Sequence, residues 1–212
     1  MGFESSVSEP SGGKTKPTSV KILVAGGFGT GKTSLVSSVS EIDPLRTEEM
    51  LSEAGEGIDD ISGVEGKRTT TVALDFGRIT IAPDLVLYLF GTPGQSRFWY
   101  MWNDLAVGTW GAVVLIDTRR FETSWAAIDF FERRQIPFIV AVNRFPDSDY
   151  YPAEELRAAL QLGEEVPIID DCSALEPESC KDVLITLQEH IMRTHLERAG
   201  YDENAIANAI GE

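Results

Sequence analysis

Gly26-Gly27-Phe28-Gly29-Thr30-Gly31-Lys32-Thr33 is the stretch whose reading decides the fold. It has the spacing GxxxxGK[ST], in which a glycine-rich turn lets backbone N–H groups curl around a polyphosphate. Lys32 is placed to reach the terminal phosphates, and the Thr33 hydroxyl to ligate Mg²⁺. The flanks agree with that reading. Lys21-Ile22-Leu23-Val24-Ala25 is a short apolar strand. Residues 33–39, with Ser34 in the first turn, start a helix whose N-terminal dipole favours phosphate. A chance glycine turn would not need this strand before it and this helix after it.

Working outward, strands are predicted at 20–25, 71–81, 84–90, 111–117, 137–143 and 167–171. Helices are predicted at 32–40, 95–106, 121–134, 152–161 and 177–195. Only Ala82-Pro83 separates the second and third strands, so they form an antiparallel hairpin. The others alternate with helices, which implies a mostly parallel sheet covered on both faces. The fold class is α/β, a three-layer sandwich around a six-stranded, mostly parallel sheet with one antiparallel edge hairpin strand. Residues 1–18 read as a mobile Ser/Pro/Gly-rich tail without an apolar signal core. The globular unit is placed at 19–196 and a C-terminal extension at 197–212.

Composition narrows the function. The chain has 212 residues, enough for one domain, and a formal charge of −16. That charge argues against nucleic acid as a ligand, because phosphate backbones require basic patches. It also disfavours direct docking on an anionic membrane. No apolar run approaches the roughly 18 residues of a membrane span, so no membrane insertion is expected. Cys172 and Cys180 read as reduced thiols of a cytoplasmic protein. Nine acidic residues and one basic residue, Arg46, fall between Glu41 and Gly66, and read as a solvated segment.

Further motifs separate the classes that share a P-loop. Leu89-Phe90-Gly91-Thr92-Pro93-Gly94-Gln95 resembles the third motif of small GTPases, Asp-x-x-Gly followed by Gln. Gly94 falls where a backbone N–H senses the γ-phosphate, and Gln95 where a side chain orients the attacking water. Together with a Thr-rich segment, an Asn-containing loop and a Ser-Ala loop, residues 20–195 resemble a Ras-like GTPase, a small G domain of the P-loop NTPases. The stretches 67–77, 89–95 and 117–120 narrow the resemblance to the bacterial group around MglA, and to the conservon GTPases of actinobacteria. The resemblance implies GTP/GDP and Mg²⁺ as ligands and a roadblock/LC7-type regulatory partner. It also implies a membrane histidine-kinase-like component that would recruit the protein to the membrane. The chain alone is expected to be a monomer.

Several positions depart from the pattern. Gly91 stands where the wider family has the Asp that holds a water on Mg²⁺. Asp75 is the candidate substitute, because a hairpin turning at 82–84 sets it across from residue 90 or 91. A surface strand residue is the competing reading, since one step of register reverses the facing. Thr69, Thr70 and Thr71 are consecutive, and Thr70 is assigned to Mg²⁺ and the γ-phosphate. The base loop reads Asn143-Arg144-Phe145-Pro146-Asp147, with its carboxylate one residue late. Arg144 is expected to stack on the base. Ser173-Ala174-Leu175 resembles the last motif, with Leu175 replacing Lys and the Ala174 N–H directed at a guanine carbonyl.

Guanine is the expected base. Lys32, Gln95 and Arg97 form the candidate catalytic set, and Arg119 or Arg120 would join it if their loop lies near. The expected activity is slow GTP hydrolysis that needs an accelerating partner. A nucleotide-binding adaptor without hydrolysis and an ATP-binding P-loop protein are the alternatives. Among Phe98-Trp99-Tyr100-Met101-Trp102, core packing accounts for two or three residues, and the remainder suggests an aromatic patch for a partner.

Overall fold

A computed structural model of the chain describes residues 17–43, 45–51 and 70–211; for residues 45–51, 70–73, 96 and 97 it describes the backbone only. Most of the N-terminal tail, most of the acidic stretch and Thr69 therefore lie outside the described residues, as do the side chains of Thr70, Thr71 and Arg97.

The strands are β1 (Thr18–Ala25), β2 (Leu45–Leu51), β3 (Thr70–Ala82), β4 (Leu85–Gly91), β5 (Thr109–Ile116), β6 (Phe138–Asn143) and β7 (Ile168–Cys172). They form one sheet in the order β2-β3-β4-β1-β5-β6-β7. β1 pairs in parallel with β4 and β5, and the parallel pairing continues to β6 and β7. β3 is the single strand that runs against the others, since it is antiparallel to both β2 and β4. All six predicted strands are present, and β2 is an addition outside them. Its physical reason lies in β3. Along residues 70–76 the edge of β3 turned away from β4 carries backbone groups that need a partner, and β2 supplies it.

The helices are α1 (Lys32–Val39), α2 (Trp102–Ala106), α3 (Trp125–Arg134), α4 (Ala153–Leu160), α5 (Pro177–Arg198) and α6 (Glu203–Ile210). Strand alternation divides the core. Ile22, Val24, Val113, Leu115, Ile139 and Ala141 pack against α1 and α5. Leu23, Ala25, Ala112, Val114, Ile116 and Val140 pack against α2, α3 and α4. Because both faces are covered, the central strands are continuous apolar runs rather than alternating ones. Cys172 and Cys180 are free and buried, and burial pushes the Cys172 thiol up to about 12.

Phe131 is the hub of the second layer. It is fully buried and lies within ring contact of Trp102, Phe130 and Phe138. Truncation there leaves a cavity in a packed aromatic group, so Phe131→Ala is expected to cost about 3–5 kcal/mol. Urea unfolding reads this as a lower midpoint with an unchanged slope; a loss below about 1 kcal/mol would contradict the packing described.

Candidate nucleotide site

The P-loop bridges the end of β1 and the start of α1, and the end of β6 holds it in place. The Asn143 amide donates from Nδ2 to the Thr30 carbonyl at 3.0 Å, and its Oδ1 accepts the Ala174 N–H at 2.9 Å. One side chain thus ties the P-loop to the loop after β7. Gly31 is required at the crossing, because its φ of 100° is left-handed and a Cβ there would strike the Asn143 amide. Within the loop, the fully buried Thr30 hydroxyl donates to the Gly27 carbonyl at 3.1 Å, while Phe28 stands exposed at the tip. Gly26 and Gly29 also take positive φ in this turn.

Lys32 is buried, and its Nζ donates to the carbonyls of Gly26 at 3.0 Å and Gly27 at 2.6 Å. Burial lowers its pKa to about 8, with the Asp75 carboxylate opposing the shift. Gly94 closes over this amine: a Cβ built on it would stand 2.7 Å from Lys32 Nζ. Gln95 follows, just beyond a cleft of about 350 Å³ whose walls include Phe28, Lys32, Thr33, Ser34, Asp75 and Thr92. The Trp102 indole anchors this segment by donating to the Pro93 carbonyl at 3.1 Å. Phe98 and Trp102 are buried, whereas Trp99 and Tyr100 are exposed.

Asp75 pairs directly with Gly91 across the β3–β4 hairpin. A bulge between Thr80 and Ala82 sets this register; without it Asp75 would face Thr92 and point to the other side of the sheet. The carboxylate occupies the space that a side chain at residue 91 would need, since a Cβ there would lie 2.9 Å from Asp75 Oδ2. Asp75 is 7% exposed and accepts a 2.6 Å hydrogen bond from Thr33 Oγ1. On the next residue after Gly91, the Thr92 hydroxyl is buried without a hydrogen-bond partner. A buried carboxylate oxygen and the alcohol that touches it are hard-oxygen donors at the head of the P-loop, which fits Mg²⁺.

The base-facing loops differ from expectation. Arg144 does not project freely, because its Nη2 pairs with Asp171 Oδ2 at 2.6 Å. The Ala174 N–H expected to meet a guanine carbonyl is already accepted by Asn143, whose buried amide takes the nearest buried donor. The Ser173 N–H is likewise accepted by Ser179 Oγ at 3.0 Å, and Leu175 is exposed. Phe145 lies under the Arg119 guanidinium, 4.0 Å from ring centroid to Cζ. Arg119 in turn chelates the buried Asp117 carboxylate, which this guanidinium holds below the usual carboxylate range. The Phe145–Arg119–Asp117 stack was not legible beforehand, because Phe145 is distant in sequence from the other two.

Polyphosphate binding requires Lys32 charged. Below about pH 8 the amine is already protonated in the free protein, so affinity is expected to be flat there. Above about pH 8 binding must take up a proton, and affinity is expected to fall by up to about tenfold per pH unit. Titration calorimetry in two buffers of different ionisation heat reads both effects; a flat profile to about pH 9.5 without proton uptake would contradict the shift.

A family model described as conserved hypothetical ATP binding protein matches residues 24–194. "Uncharacterized protein MJ1339" of Methanocaldococcus jannaschii is 32% identical over 141 residues, covering 66% of this chain and 79% of that protein. Among solved structures, the cytosolic domain of the T. maritima FeoB iron transporter in its apo form gives a TM-score of 0.57 at 16% identity. That match covers 82% of this chain but 64% of the FeoB chain. The second GDP form of that domain gives 0.58 at 17% identity, again over 64% of its length. At such identity the likeness is one of fold. The chain belongs to the family of conserved hypothetical ATP-binding proteins, as a P-loop nucleotide-binding protein similar in fold to the FeoB cytosolic domain.

Proposed function

We propose that the protein is a Mg²⁺-dependent nucleotide switch that binds GTP and GDP and hydrolyses GTP slowly. The observation that carries this reading is Asp75 opposite Gly91, hydrogen-bonded to Thr33 at the head of the P-loop. A carboxylate missing from one strand is matched by one on its neighbour, which is the expected compensation if the site must hold a metal. The P-loop N–H groups and Lys32 would bind the phosphates. Thr33 and Asp75 would hold Mg²⁺, directly or through water, and Thr70 would join them when switch I closes. The metal supplies charge neutralisation on the transferring phosphoryl group. Gln95 would orient the attacking water, with Arg97 next to it on the same segment. Slow turnover is favoured by Gln95 lying just outside the cleft and by Lys32 bonding to loop carbonyls.

Guanine is proposed on the G-domain arrangement and the position of Asn143 at the end of β6. A second reading, adenine, is favoured by the description of the family and by the prior commitment of the Ala174 N–H. A roadblock/LC7-type partner is proposed from the MglA-like and conservon resemblance. The exposed Trp99 and Tyr100, four and five residues past Gln95, offer it aromatic anchors. Among the described residues no helix is long and apolar enough to cross a membrane. Recruitment to a membrane through a histidine-kinase-like component is proposed from the same resemblance.

Asp75→Ala is expected to cut the Mg²⁺-dependent gain in triphosphate affinity by at least about tenfold, with little change in metal-free affinity. Fluorescent-nucleotide titration with and without Mg²⁺ reads this, and an unchanged gain would remove Asp75 from the metal site. Separately, nucleotide extracted from the purified protein is expected to be a guanine nucleotide that turns over with Mg²⁺. Adenine would overturn the base assignment. Bound GTP that survives a roadblock-type partner intact would favour a non-hydrolysing adaptor.

A further inference from the structure

Beside the P-loop lies an arginine that the fold does not need for neutralisation. After β5, residues Thr118–Ser124 form a 3-10 turn broken at Arg120, whose backbone is non-helical at φ −143°, ψ 56°. The break folds the turn against the P-loop. The Thr123 hydroxyl donates to the Arg120 carbonyl at 2.8 Å, and the Thr123 side chain stands against Gly27. Arg120 Nη2 lies 3.1 Å from the position that a Cβ on Gly29 would take. Both contacts fall on the loop whose N–H groups curl around phosphate.

Asp117, fully buried at the head of this turn, has two arginine partners and needs one. Arg119 alone satisfies both carboxylate oxygens, at 2.9 Å each, and is further fixed on the Phe145 ring. Arg120 makes one contact with Asp117 at 3.2 Å and keeps 45% of its side chain exposed. A buried carboxylate with a bidentate guanidinium is already neutralised. The second cation is therefore parked on Asp117 rather than required by it.

We infer that Arg120 is a catalytic arginine supplied in cis, which leaves Asp117 for the phosphates when a triphosphate enters the loop. The inference rests on the hydrolytic function proposed above. In the reaction, the oxygen of water forms a bond to the γ-phosphorus, and the bond from that phosphorus to the β–γ bridging oxygen breaks. The diphosphate leaves with the electron pair, and one proton of the water is released to solvent as orthophosphate forms. Negative charge gathers on the phosphate oxygens as the bond breaks, and a guanidinium arriving beside Gly29 stabilises that charge. Arg119 cannot take this part without stranding the buried Asp117 carboxylate.

The test is single-turnover hydrolysis of GTP and of ATP by the wild-type chain and by Arg120→Ala, with Mg²⁺ and protein in excess. Diphosphate affinity and the binding of diphosphate with aluminium fluoride, a mimic of the transferring phosphoryl group, are measured alongside. Arg120→Ala is expected to slow hydrolysis at least about 100-fold and to lose the aluminium fluoride complex. Its diphosphate affinity is expected to stay within about threefold, and added guanidinium to restore part of the rate. Arg120→Gln, planar but uncharged, takes its place if the alanine variant does not fold. Hydrolysis within twofold of wild type (roughly 0.4 kcal/mol) would overturn the assignment. So would equal losses of rate and diphosphate affinity, which would make Arg120 a binding cation only. A wild-type chain that turns over neither nucleotide would overturn the hydrolytic function and this inference together. Wild-type turnover that survives the substitution would overturn this inference alone.

Discussion

A carboxylate cannot be buried without hydrogen bonds or a cation to hold it. Asp75 sits on β3, faces Gly91 on β4 and accepts the Thr33 hydroxyl at the first turn of α1. That contact joins the antiparallel hairpin to the P-loop, and the shape of the site depends on it. The space exists because residue 91 has no side chain, and the register exists because the hairpin carries a bulge near Ile81. Loop, strand pairing and site chemistry are therefore one problem. A change of register at the turn would move the carboxylate to the opposite face of the sheet.

Asn143 performs the corresponding task on the other side of the loop. Its amide is donor to the P-loop and acceptor to the loop after β7, so both stay at a fixed distance from β6. This has a chemical consequence for the base. Groups that would read a purine edge are engaged within the protein: the Ala174 N–H with Asn143, and Arg144 with Asp171. Both halves of the site would exchange internal partners for the nucleotide: Lys32 the carbonyls of Gly26 and Gly27, and the base loops the Asn143 and Asp171 contacts.

The P-loop and the six principal strands could be read from the sequence because their signals are local: glycine spacing, apolar runs and short turns. The hairpin pairing was legible to within one residue. Nothing in Ile79-Thr80-Ile81-Ala82 announces a bulge, and the bulge decides whether Asp75 meets residue 91 or 92. β2 was not legible, since Leu45–Leu51 is acidic and lacks strand alternation; its partner is the outer edge of β3, a tertiary cause. The Asp117–Arg119–Phe145 stack was hidden for a similar reason. Arg119 reaches back to Asp117 only because the 3-10 turn bends there, and Phe145 arrives from another strand end. The tie that Asn143 makes between two loops emerged only with the packing around it.

The most direct measurement is the Mg²⁺-dependent nucleotide affinity of the carboxylate swap Asp75→Gly with Gly91→Asp. Directly opposed residues in an antiparallel pair project from the same face of the sheet, so the swap returns one carboxylate to the same space. If that space is the metal site, the double variant recovers the Mg²⁺ dependence that Asp75→Gly alone lacks, to within about tenfold of wild type. Gly91→Asp alone, which crowds two carboxylates together, lowers stability. A folded double variant whose nucleotide affinity ignores Mg²⁺, or an Asp75→Gly protein that keeps the full dependence, would contradict the role assigned to Asp75.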